Sequence, residues 1–296
     1  MMPKEKSHYL PLIAFVALGV IWGSNFIYMK MAVKLISPLQ IVFLRVLFGF
    51  VPVVIYARLQ GALRREHLRH GGHFFVMGLL ATALYYYVYV KGTSLLLSGV
   101  AGAVSGAIPL FSFVLAIAFI AEEKATRLKV AGTLIGFLGV LIMGRPSGAD
   151  LAGTNLQGVL YMVAGSLSVG ASFVYAKKFI IPLKIPAAAL TTYQLGFGLL
   201  VLTLLTDYRG MTKLFSNTHT AIGLIVGLGI LGTGLAYIIY YYIIAKLGAV
   251  AAASVTYIPP VVALLIGALL VGEPIDRVDY GATLLIFVGV LLLRKR

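Results

Sequence analysis

Residues 100–141 read VAGAVSGAIPLFSFVLAIAFIAEEKATRLKVAGTLIGFLGVL, and residues 250–291 read VAAASVTYIPPVVALLIGALLVGEPIDRVDYGATLLIFVGVL. The two stretches align without a gap at a shift of 150 positions. The residues that coincide include Ile108 with Ile258, Pro109 with Pro259, Glu123 with Glu273, Arg127 with Arg277 and Gly139 with Gly289. Shared hydrophobicity alone does not keep a proline, a charged hinge and a Gly-rich run in register, so the chain is a duplicated unit.

The composition places the chain in a lipid bilayer. Of the 296 residues, 60% are hydrophobic and 11% are charged, whereas soluble domains average about 45–50% and 25%. The formal net charge is +15, but most Lys and Arg residues lie in short gaps between apolar runs, which indicates membrane topology rather than nucleic-acid binding. The chain has no cysteine, so disulfides, thiolate catalysis and cysteine metal sites are excluded.

Apolar runs of roughly 16–25 residues, each long enough to cross about 30 Å of hydrocarbon as a helix, occur ten times. We predict an all-α integral membrane protein with ten transmembrane helices in two five-helix repeats, residues 1–148 and 149–296. The predicted spans lie near residues 10–30, 39–58, 73–95, 98–120, 128–145, 157–176, 187–206, 219–245, 249–271 and 278–293. The first run resembles a signal peptide, but it continues past Trp22 without a cleavage site, so we expect it to be retained.

Lys and Arg residues are distributed unequally between alternate gaps. Sixteen lie at the termini and in the connections 58–72, 121–129, 177–186 and 246, and six lie in the other connections. Because Lys and Arg accumulate in cytoplasmic loops, both termini are predicted to lie in the cytoplasm. Five helices per repeat is an odd number, so the second repeat is predicted to be inverted in the membrane. Inverted repeats are typical of secondary transporters, whose substrate site lies near the midplane between the halves.

Several features of the chain recur together in one family of carriers. They are the ten helices in two inverted halves, the Ile-Pro pairs, the stretch Trp22-Gly23-Ser24-Asn25-Phe26, Arg45 in the second helix, and the paired Glu123 and Glu273 before a Gly-rich helix. With these features the whole chain resembles the EamA branch of the drug/metabolite transporter superfamily. The resemblance implies export of metabolites such as amino acids, sugars or nucleosides across the bacterial inner (plasma) membrane. Within that family, the chain is most like bacterial exporters of aromatic amino acids.

Prolines interrupt the fourth and ninth predicted helices at equivalent positions. Pro109 lies in the first repeat, and Pro259 and Pro260 lie in the second. A proline inside a helix removes a hydrogen bond and bends the helix, and in a membrane the freed carbonyls need new partners. We predict that these three prolines are gating hinges; a fixed kink that serves packing alone is the alternative.

Tyrosines are concentrated in the third and eighth predicted helices. Tyr85 and Tyr89 share one helix face. Aromatic belts at the membrane interface explain part of such clusters, but the face that Tyr85 and Tyr89 share lies deeper in the membrane than an interfacial belt requires. Stacking and phenol hydrogen bonds suit an aromatic or amphipathic solute. The predicted substrate-binding residues are Trp22, Asn25, Tyr85, Tyr89, Lys91, Tyr175, Tyr237 and Tyr257.

Two basic residues, Lys91 and Arg45, lie within apolar runs, where charges are candidates for function. Lys91 is predicted to meet a substrate carboxylate or, alternatively, to extend its amine to the outer interface. Arg45 has no acidic residue in any apolar run as a partner, and we predict that it binds backbone carbonyls and holds the fold. Glu123 and Glu273 each precede a helix start and are predicted to cap that helix.

The acidic residues and the histidines lie outside the predicted helices or at their ends. A proton-coupled pump usually needs a titratable group within the transport path, so we expect export driven by the substrate gradient, with proton coupling as the alternative. We expect no cofactor, no metal ion and no nucleic-acid partner. The expected partners are a small-molecule substrate and the lipid bilayer, and the oligomeric state stays open because Gly-rich helix faces serve internal and external packing alike.

Other functions compete with amino-acid export. Ring stacking does not distinguish an indole from a nucleobase, so a carrier of nucleosides, sugars or cofactors is an alternative on the same fold. An integral-membrane enzyme would need a carboxylate pair, a histidine cluster or an activated nucleophile at membrane depth, and the sequence offers none. A membrane scaffold without transport activity is a further alternative, but it would not need prolines at equivalent positions of the two repeats.

Overall fold

A computed structural model of the chain describes residues 9–144, 156–247 and 255–294, and these residues form helices and connecting turns without a strand. We number the helices in chain order, counting as one helix each run of helical segments that follow one another directly or, in α4, across a two-residue turn. They are α1 (Tyr9–Ala32), α2 (Pro38–Leu59), α3 (Arg65–Leu95), α4 (Ser98–Phe119), α5 (Arg127–Met143), α6 (Leu156–Leu183), α7 (Ala187–Leu205), α8 (Thr218–Leu247), α9 (Val255–Leu270) and α10 (Arg277–Arg294). A short 3-10 helix, Met211–Ser216, lies between α7 and α8.

Within the part of the chain that the structure describes, seven helices are long and apolar enough to cross a membrane, namely α1, α2, α3, α4, α6, α7 and α8. Of the others, α5 has 17 residues, α9 is a shorter apolar helix, and α10 has 18 residues that include Arg277 and Asp279. The all-helical membrane fold is therefore confirmed. The count of ten spans and the cytoplasmic termini stay predictions, and so does the domain boundary between residues 148 and 149, which lies outside the described residues.

The prolines of α4 and α9 begin helices rather than bend them. In α4 the first helical stretch ends at Ser105, a turn follows, and a second stretch runs over Ile108–Phe119 with Pro109 in its first turn. In α9 a 3-10 turn, Val255–Tyr257, precedes the stretch that starts at Ile258. The expectation of a bent continuous helix was wrong in this respect, because the first helical turn is where a residue without an N–H group loses no bond.

Four of the described helices, α3, α6, α8 and α9, contain π-helical segments, in which the hydrogen bonds span five residues, and those of α3 and α8 bear on the site. The segment in α3 is Leu79–Ala83 and the segment in α8 is Gly223–Leu235. At the end of the longer one, the Thr233 hydroxyl donates to the Leu228 carbonyl oxygen at 3.0 Å. Segments of this kind are uncommon and occur frequently at functional sites.

The two repeats pack through contacts that occur twice with the repeats exchanged. A Cβ atom added at Gly23 of α1 would lie 2.6 Å from Val262 Cγ1 of α9, and one added at Gly170 of α6 would lie 3.0 Å from Ser112 N of α4. Gly23 and Gly170 are equivalent at the shift of 147, and Ser112 and Val262 are equivalent at the shift of 150. The first helix of each repeat therefore approaches the fourth helix of the other repeat over a glycine.

Glu273 caps a helix, but the helix belongs to the other repeat. Its carboxylate accepts hydrogen bonds from Ser98 N and Ser98 Oγ, both at 2.8 Å, and from Gly99 N at 3.0 Å. These donors form the amino terminus of α4, so the prediction that Glu273 caps the helix that follows it was wrong. Glu123 is instead paired with Lys177 Nζ at 2.9 Å. The α4 cap joins the two repeats.

Candidate functional site

Arg45 lies at the centre of the candidate site. It belongs to α2, and only 5% of its surface is exposed. Nε donates to Thr233 Oγ1 in the π-helical segment of α8 at 3.0 Å, and Nη1 lies 3.9 Å from the sulfur of Met29 on α1. The side chain thus links the first repeat to the second.

Asn25 and Tyr86 complete the surroundings of Arg45. When the Asn25 amide is oriented so that its nitrogen donates to the Ile21 carbonyl oxygen at 3.2 Å, its oxygen accepts from Arg45 Nη2 at 3.2 Å. The guanidinium carbon lies 3.8 Å from the centre of the Tyr86 ring on α3, which is a cation–π contact. Arg45 therefore holds side chains of α1, α3 and α8 around α2, and its predicted role of holding the fold through backbone carbonyls needs correction because these partners are side chains.

The charge of Arg45 has no counter-charge nearby. Among the described residues, Glu66 pairs with Arg64 and Glu123 pairs with Lys177, so neither of these carboxylates is a partner of Arg45. All partners of the guanidinium are neutral groups: a hydroxyl, an amide, a thioether and an aromatic ring. A buried arginine whose partners are all neutral leaves a net positive charge inside the helix bundle.

Tyrosines extend from Arg45 in a continuous row that both repeats build. The ring of Tyr86 lies 4.9 Å from that of Tyr85, and Tyr85 lies 4.5 Å from Tyr89. Tyr237 lies beside Tyr86, and its ring is 6.4 Å from that of Tyr241. We call this set the tyrosine row; its members are Tyr85, Tyr86, Tyr89, Tyr237 and Tyr241.

Each end of the tyrosine row is tied to the second repeat or to α1. The hydroxyl of Tyr89 lies 2.9 Å from Ser166 Oγ on α6, and the Tyr89 ring is 6.3 Å from that of Phe26 on α1. At the other end, Tyr240 lies 6.3 Å from Tyr241 and 5.9 Å from Trp22 on α1. Of the predicted residues, Trp22, Asn25, Tyr85, Tyr89 and Tyr237 are therefore brought together.

Tyr175 lies elsewhere. Its hydroxyl is 2.7 Å from His73 Nδ1, and its ring is 4.8 Å from that of Phe179. It borders an apolar cleft of about 330 Å³ lined by Leu80, Leu115, Phe119, Ala171, Val174, Lys178 and Phe179. Because Tyr175 lies ten residues beyond Gly165, which packs on Tyr89, it sits about 15 Å further along α6.

The remaining predicted residues are Lys91, Tyr257 and the three prolines. Lys91 is half-buried, and its amine has no partner within the described residues. Tyr257 packs against the main apolar core, in the turn before Pro259 and Pro260, which are both buried. Pro109 is half-buried. Across the described residues, His, Asp and Glu form no group of three or more that could hold a metal ion.

A second contact repeats the one between Arg45 and Thr233. Gln194 Nε2 on α7 donates to Thr82 Oγ1 in the π-helical segment of α3 at 3.1 Å, and both residues are buried. Gln194 follows Arg45 by 149 positions, and Thr233 follows Thr82 by 151 positions. The second helix of each repeat thus donates to a threonine in the third helix of the other repeat.

Sequence reasoning missed Tyr86, Ser166, Thr82, Thr233 and Gln194 as parts of the site. The available signal was an alignment of the second and third helices of each repeat at shifts of 149 and 151, which also superposes Gly49 on Gly198 and Gly78 on Gly229. The matches are single small or polar residues in apolar helices. Their meaning becomes visible only when the partner helices are placed together.

Two repeats of apolar helices around a buried polar and aromatic centre define a multi-pass membrane transporter rather than an enzyme. The model of the EamA-like transporter family matches the chain twice, over residues 10–145 and 156–295. The chain belongs to this family. The predicted family is thereby confirmed, and with it a small-molecule substrate bound within the bilayer is expected.

Individual relatives carry the same class of name. An uncharacterized transporter of Archaeoglobus fulgidus is 27% identical, over 93% of this chain and 95% of its own. The uncharacterized inner membrane transporter YedA of Escherichia coli is 29% identical, over 96% and 90%. The uncharacterized transporter YoaV of Bacillus subtilis is 24% identical, over 95% of each. A solved crystal structure shares the fold with a TM-score of 0.62 at 21% identity, over 96% of this chain and 95% of that one.

Proposed function

We propose that this protein is a secondary transporter that exports aromatic and other neutral amino acids across the bacterial inner membrane by alternating access. The observation that carries the proposal is the tyrosine row, which lies between the repeats and is built by both of them. Aromatic faces and phenol hydroxyls offer stacking and hydrogen bonds to a ring-bearing solute. The inner membrane is supported by the name of the relative YedA.

The exchanged contacts support alternating access. When the same contact occurs twice with the partners exchanged, a two-fold axis relates the partners, and the pairs Arg45 with Thr233 and Gln194 with Thr82 follow this rule. With five helices in each repeat, such an axis lies in the membrane plane, and the second repeat is inverted. Two inverted halves can exchange conformations, which gives inward-open and outward-open states of similar energy. With ten helices both termini lie on the same side of the membrane, and the distribution of Lys and Arg assigns that side to the cytoplasm.

The prolines are the proposed hinges of this movement. Pro109 starts the second half of α4, and Pro259 and Pro260 start the main stretch of α9. Proline has no backbone N–H group and therefore donates no hydrogen bond to the preceding turn. A change of angle at that turn can move one half of the helix without breaking such a bond. Trp22, Asn25, Lys91 and Tyr257 stay proposed contributors to the substrate path around the tyrosine row, and Tyr175 is proposed for the far end of that path, about 15 Å away along α6.

A counterflow assay in proteoliposomes tests the proposed substrate. Vesicles are loaded with unlabelled phenylalanine, tryptophan, alanine, adenosine or glucose, and the uptake of the labelled compound is followed. Phenylalanine and tryptophan are expected to exchange faster than alanine, adenosine and glucose. Exchange of adenosine or glucose without the aromatic amino acids would replace this substrate class with the alternative one on the same fold.

The energy source is tested in the same vesicles. We propose transport down the substrate gradient, because the acidic residues of the chain lie outside the predicted helices or at their ends. Wild-type vesicles are given a pH difference and no substrate gradient, and net accumulation of labelled phenylalanine is measured. No accumulation is expected, and net accumulation of phenylalanine inside or outside the vesicles would show proton coupling.

A further inference from the structure

We propose that Arg45 binds the carboxylate group of the transported substrate. The proposal rests on the proposed function, because it assigns one residue of that site to one chemical group of an amino acid. It adds a requirement that stacking on tyrosines does not impose, namely that the substrate carries an anionic carboxylate.

The first argument is the uncompensated charge. A charged side chain inside a membrane is costly and is normally paired with an opposite charge. The partners of Arg45 among the described residues, Thr233, Asn25, Met29 and Tyr86, are all neutral. A substrate carboxylate supplies the missing negative charge when it binds.

The second argument is the number of donors. A guanidinium has five N–H groups. The N–H group of Nε donates to Thr233 Oγ1, and one N–H group of Nη2 donates to the Asn25 oxygen. One N–H group of Nη1 contacts the sulfur of Met29, with a long Nη1–Sδ distance of 3.9 Å. One N–H group on each terminal nitrogen is left. These two N–H groups are available to a carboxylate, which a guanidinium can bind through two hydrogen bonds.

The third argument comes from the other repeat. Gln194 makes the same contact to Thr82 that Arg45 makes to Thr233, at 3.1 and 3.0 Å. A neutral amide is thus sufficient to join α7 to α3. Joining α2 to α8 therefore does not explain why Arg45 is charged, and the charge has a different role.

The surroundings of Arg45 suit an aromatic amino acid. The Tyr86 ring covers one face of the guanidinium at 3.8 Å, and Tyr85 continues the tyrosine row at 4.9 Å from Tyr86. A carboxylate on Arg45 places the rest of the substrate against this row. Because Arg45 is 5% exposed in this conformation, the substrate reaches it when the repeats separate, as alternating access requires.

The test compares Arg45→Gln with wild type on two substrates that differ only in the carboxylate. The substitution gives α2 the side chain that α7 already uses for the equivalent bond, so the link to Thr233 can persist. Counterflow is measured with phenylalanine and with phenylalaninamide. We expect wild type to prefer phenylalanine at least about tenfold, as one charge-assisted hydrogen bond allows. Arg45→Gln is expected to lose about tenfold in phenylalanine flux and to keep its phenylalaninamide flux within about twofold.

The matched control is Gln194→Leu, which removes the equivalent bond in the other repeat without changing a charge. It is expected to lower both fluxes by the same factor, so that the preference for phenylalanine stays. Arg45→Gln with an unchanged preference would overturn the proposal. If Arg45→Gln does not fold in detergent, Arg45→Lys is used instead, because lysine keeps the charge but lacks the planar guanidinium that binds a carboxylate through two hydrogen bonds. A KM for phenylalanine that rises about tenfold in Arg45→Lys supports the proposal, and an unchanged KM overturns it.

The outcomes separate the two proposals. If wild type exchanges phenylalanine and Arg45→Gln retains both the flux and the preference, the assignment of Arg45 fails while the proposed function stands. If wild type exchanges no aromatic or other neutral amino acid, the proposed function fails. A panel of benzoate, glutamate and uncharged solutes then tests Arg45 alone: exchange restricted to carboxylates and lost in Arg45→Gln supports the assignment, and exchange of uncharged solutes contradicts it.

Discussion

Arg45 and Gln194 make the same contact from opposite halves of the chain, each donating to a threonine in a π-helical segment of the other half, at 3.0 and 3.1 Å. Four residues beyond each donor lies a glycine, Gly49 on α2 and Gly198 on α7. In a helix this places the glycine on the same face as the donor. The contact surface between α2 and α8 therefore has the same construction as the contact surface between α7 and α3, and we call these two surfaces the seams.

The glycines of the two seams are predicted to be essential for close packing. A Cβ atom at Gly49 would lie 2.6 Å from Thr233 Cβ, and one at Gly198 would lie 2.8 Å from Thr82 Cγ2. We expect Gly49→Ala and Gly198→Ala each to destabilise the protein by about 1–3 kcal/mol, because the core has no room for the methyl group. The measurement is thermal unfolding in detergent.

The control for these glycines is Gly196, two residues before Gly198 on α7. A Cβ atom there would have Phe50 Cε2 as its nearest neighbour at 3.5 Å, an ordinary contact. Gly196→Ala is expected to be neutral or to stabilise by up to about 1 kcal/mol, because alanine favours a helix more than glycine does. Equal melting temperatures for Gly196→Ala and Gly198→Ala would contradict the close-packing argument.

The hydrogen bond between Gln194 and Thr82 is predicted to couple the two residues energetically. Removing one partner leaves the other buried and unsatisfied, which costs about 1–3 kcal/mol. We expect Gln194→Leu and Thr82→Val each to lower stability by that amount. The double variant should lose less than the sum of the two, and a double-mutant cycle on chemical denaturation measures the difference. Strict additivity would show that the bond contributes nothing.

Much of the fold was predictable because its signals are local or repeated. The apolar runs predicted the helices, and the match of residues 100–141 to residues 250–291 predicted the duplication. The site was predictable only in part. Asn25 and the tyrosines could be chosen by residue type, but the surroundings of Arg45 combine side chains from four helices and both repeats. No spacing within one helix encodes such a neighbourhood.

The cap formed by Glu273 is a second contact between distant parts of the chain that local sequence patterns did not predict. Local rules associate a carboxylate with the helix that follows it, whereas Glu273 binds Ser98, which precedes it by 175 positions. The start of α10 has a local hydrogen bond instead, in which Asp276 N donates to Asp279 Oδ2 at 3.3 Å. Sequence patterns identify a residue that can cap, and the tertiary structure determines which helix it caps.

Tyr237 is predicted to contribute to transport, and Tyr175 is the comparison. Tyr237 lies in the tyrosine row beside Tyr86, whereas Tyr175 contacts His73 and Phe179. An aromatic pair contributes about 0.5–1.5 kcal/mol beyond its buried area. We therefore expect Tyr237→Leu to lower phenylalanine counterflow about three- to tenfold, and Tyr175→Leu to lower it less. A larger loss in Tyr175→Leu would place the substrate path at the apolar cleft beside that residue.

The ion pair of Glu123 and Lys177 is predicted to give a small pH dependence. The hydrogen bond from Lys177 lowers the pKa of the Glu123 carboxyl below its ordinary value. Because the pKa is lowered on folding, the stabilisation is fully present above the ordinary pKa of glutamate and is lost as the pH falls through the lowered pKa. Both side chains are partly exposed, so the contribution is at most about 1 kcal/mol. We expect Lys177→Met to raise this pKa, which carbon-13 NMR of the labelled glutamates measures; an unchanged titration would show that the pair does not form.

Glu273 is predicted to stabilise the assembled repeats far more than Glu123. Its carboxylate satisfies three donors at the amino terminus of α4, two on Ser98 and one on Gly99, at 2.8–3.0 Å. Removing it leaves these donors without their acceptor in the interior of the protein, and a hydrogen bond to a charged group contributes about 1.5–3 kcal/mol. We expect Glu273→Ala to destabilise the protein by at least this amount in thermal unfolding, and Glu273→Gln to recover part of the loss.

The control for the cap is Glu123→Ala, since Glu123 occupies the equivalent position in the first repeat and has an exposed lysine as its partner. It is expected to cost less than about 1 kcal/mol. If Glu123→Ala and Glu273→Ala lowered the melting temperature equally, the cap would be no stronger than a surface ion pair. A large loss confined to Glu273→Ala would instead show that α4 of the first repeat depends on a residue of the second for its amino terminus, so that the repeats are coupled at this point.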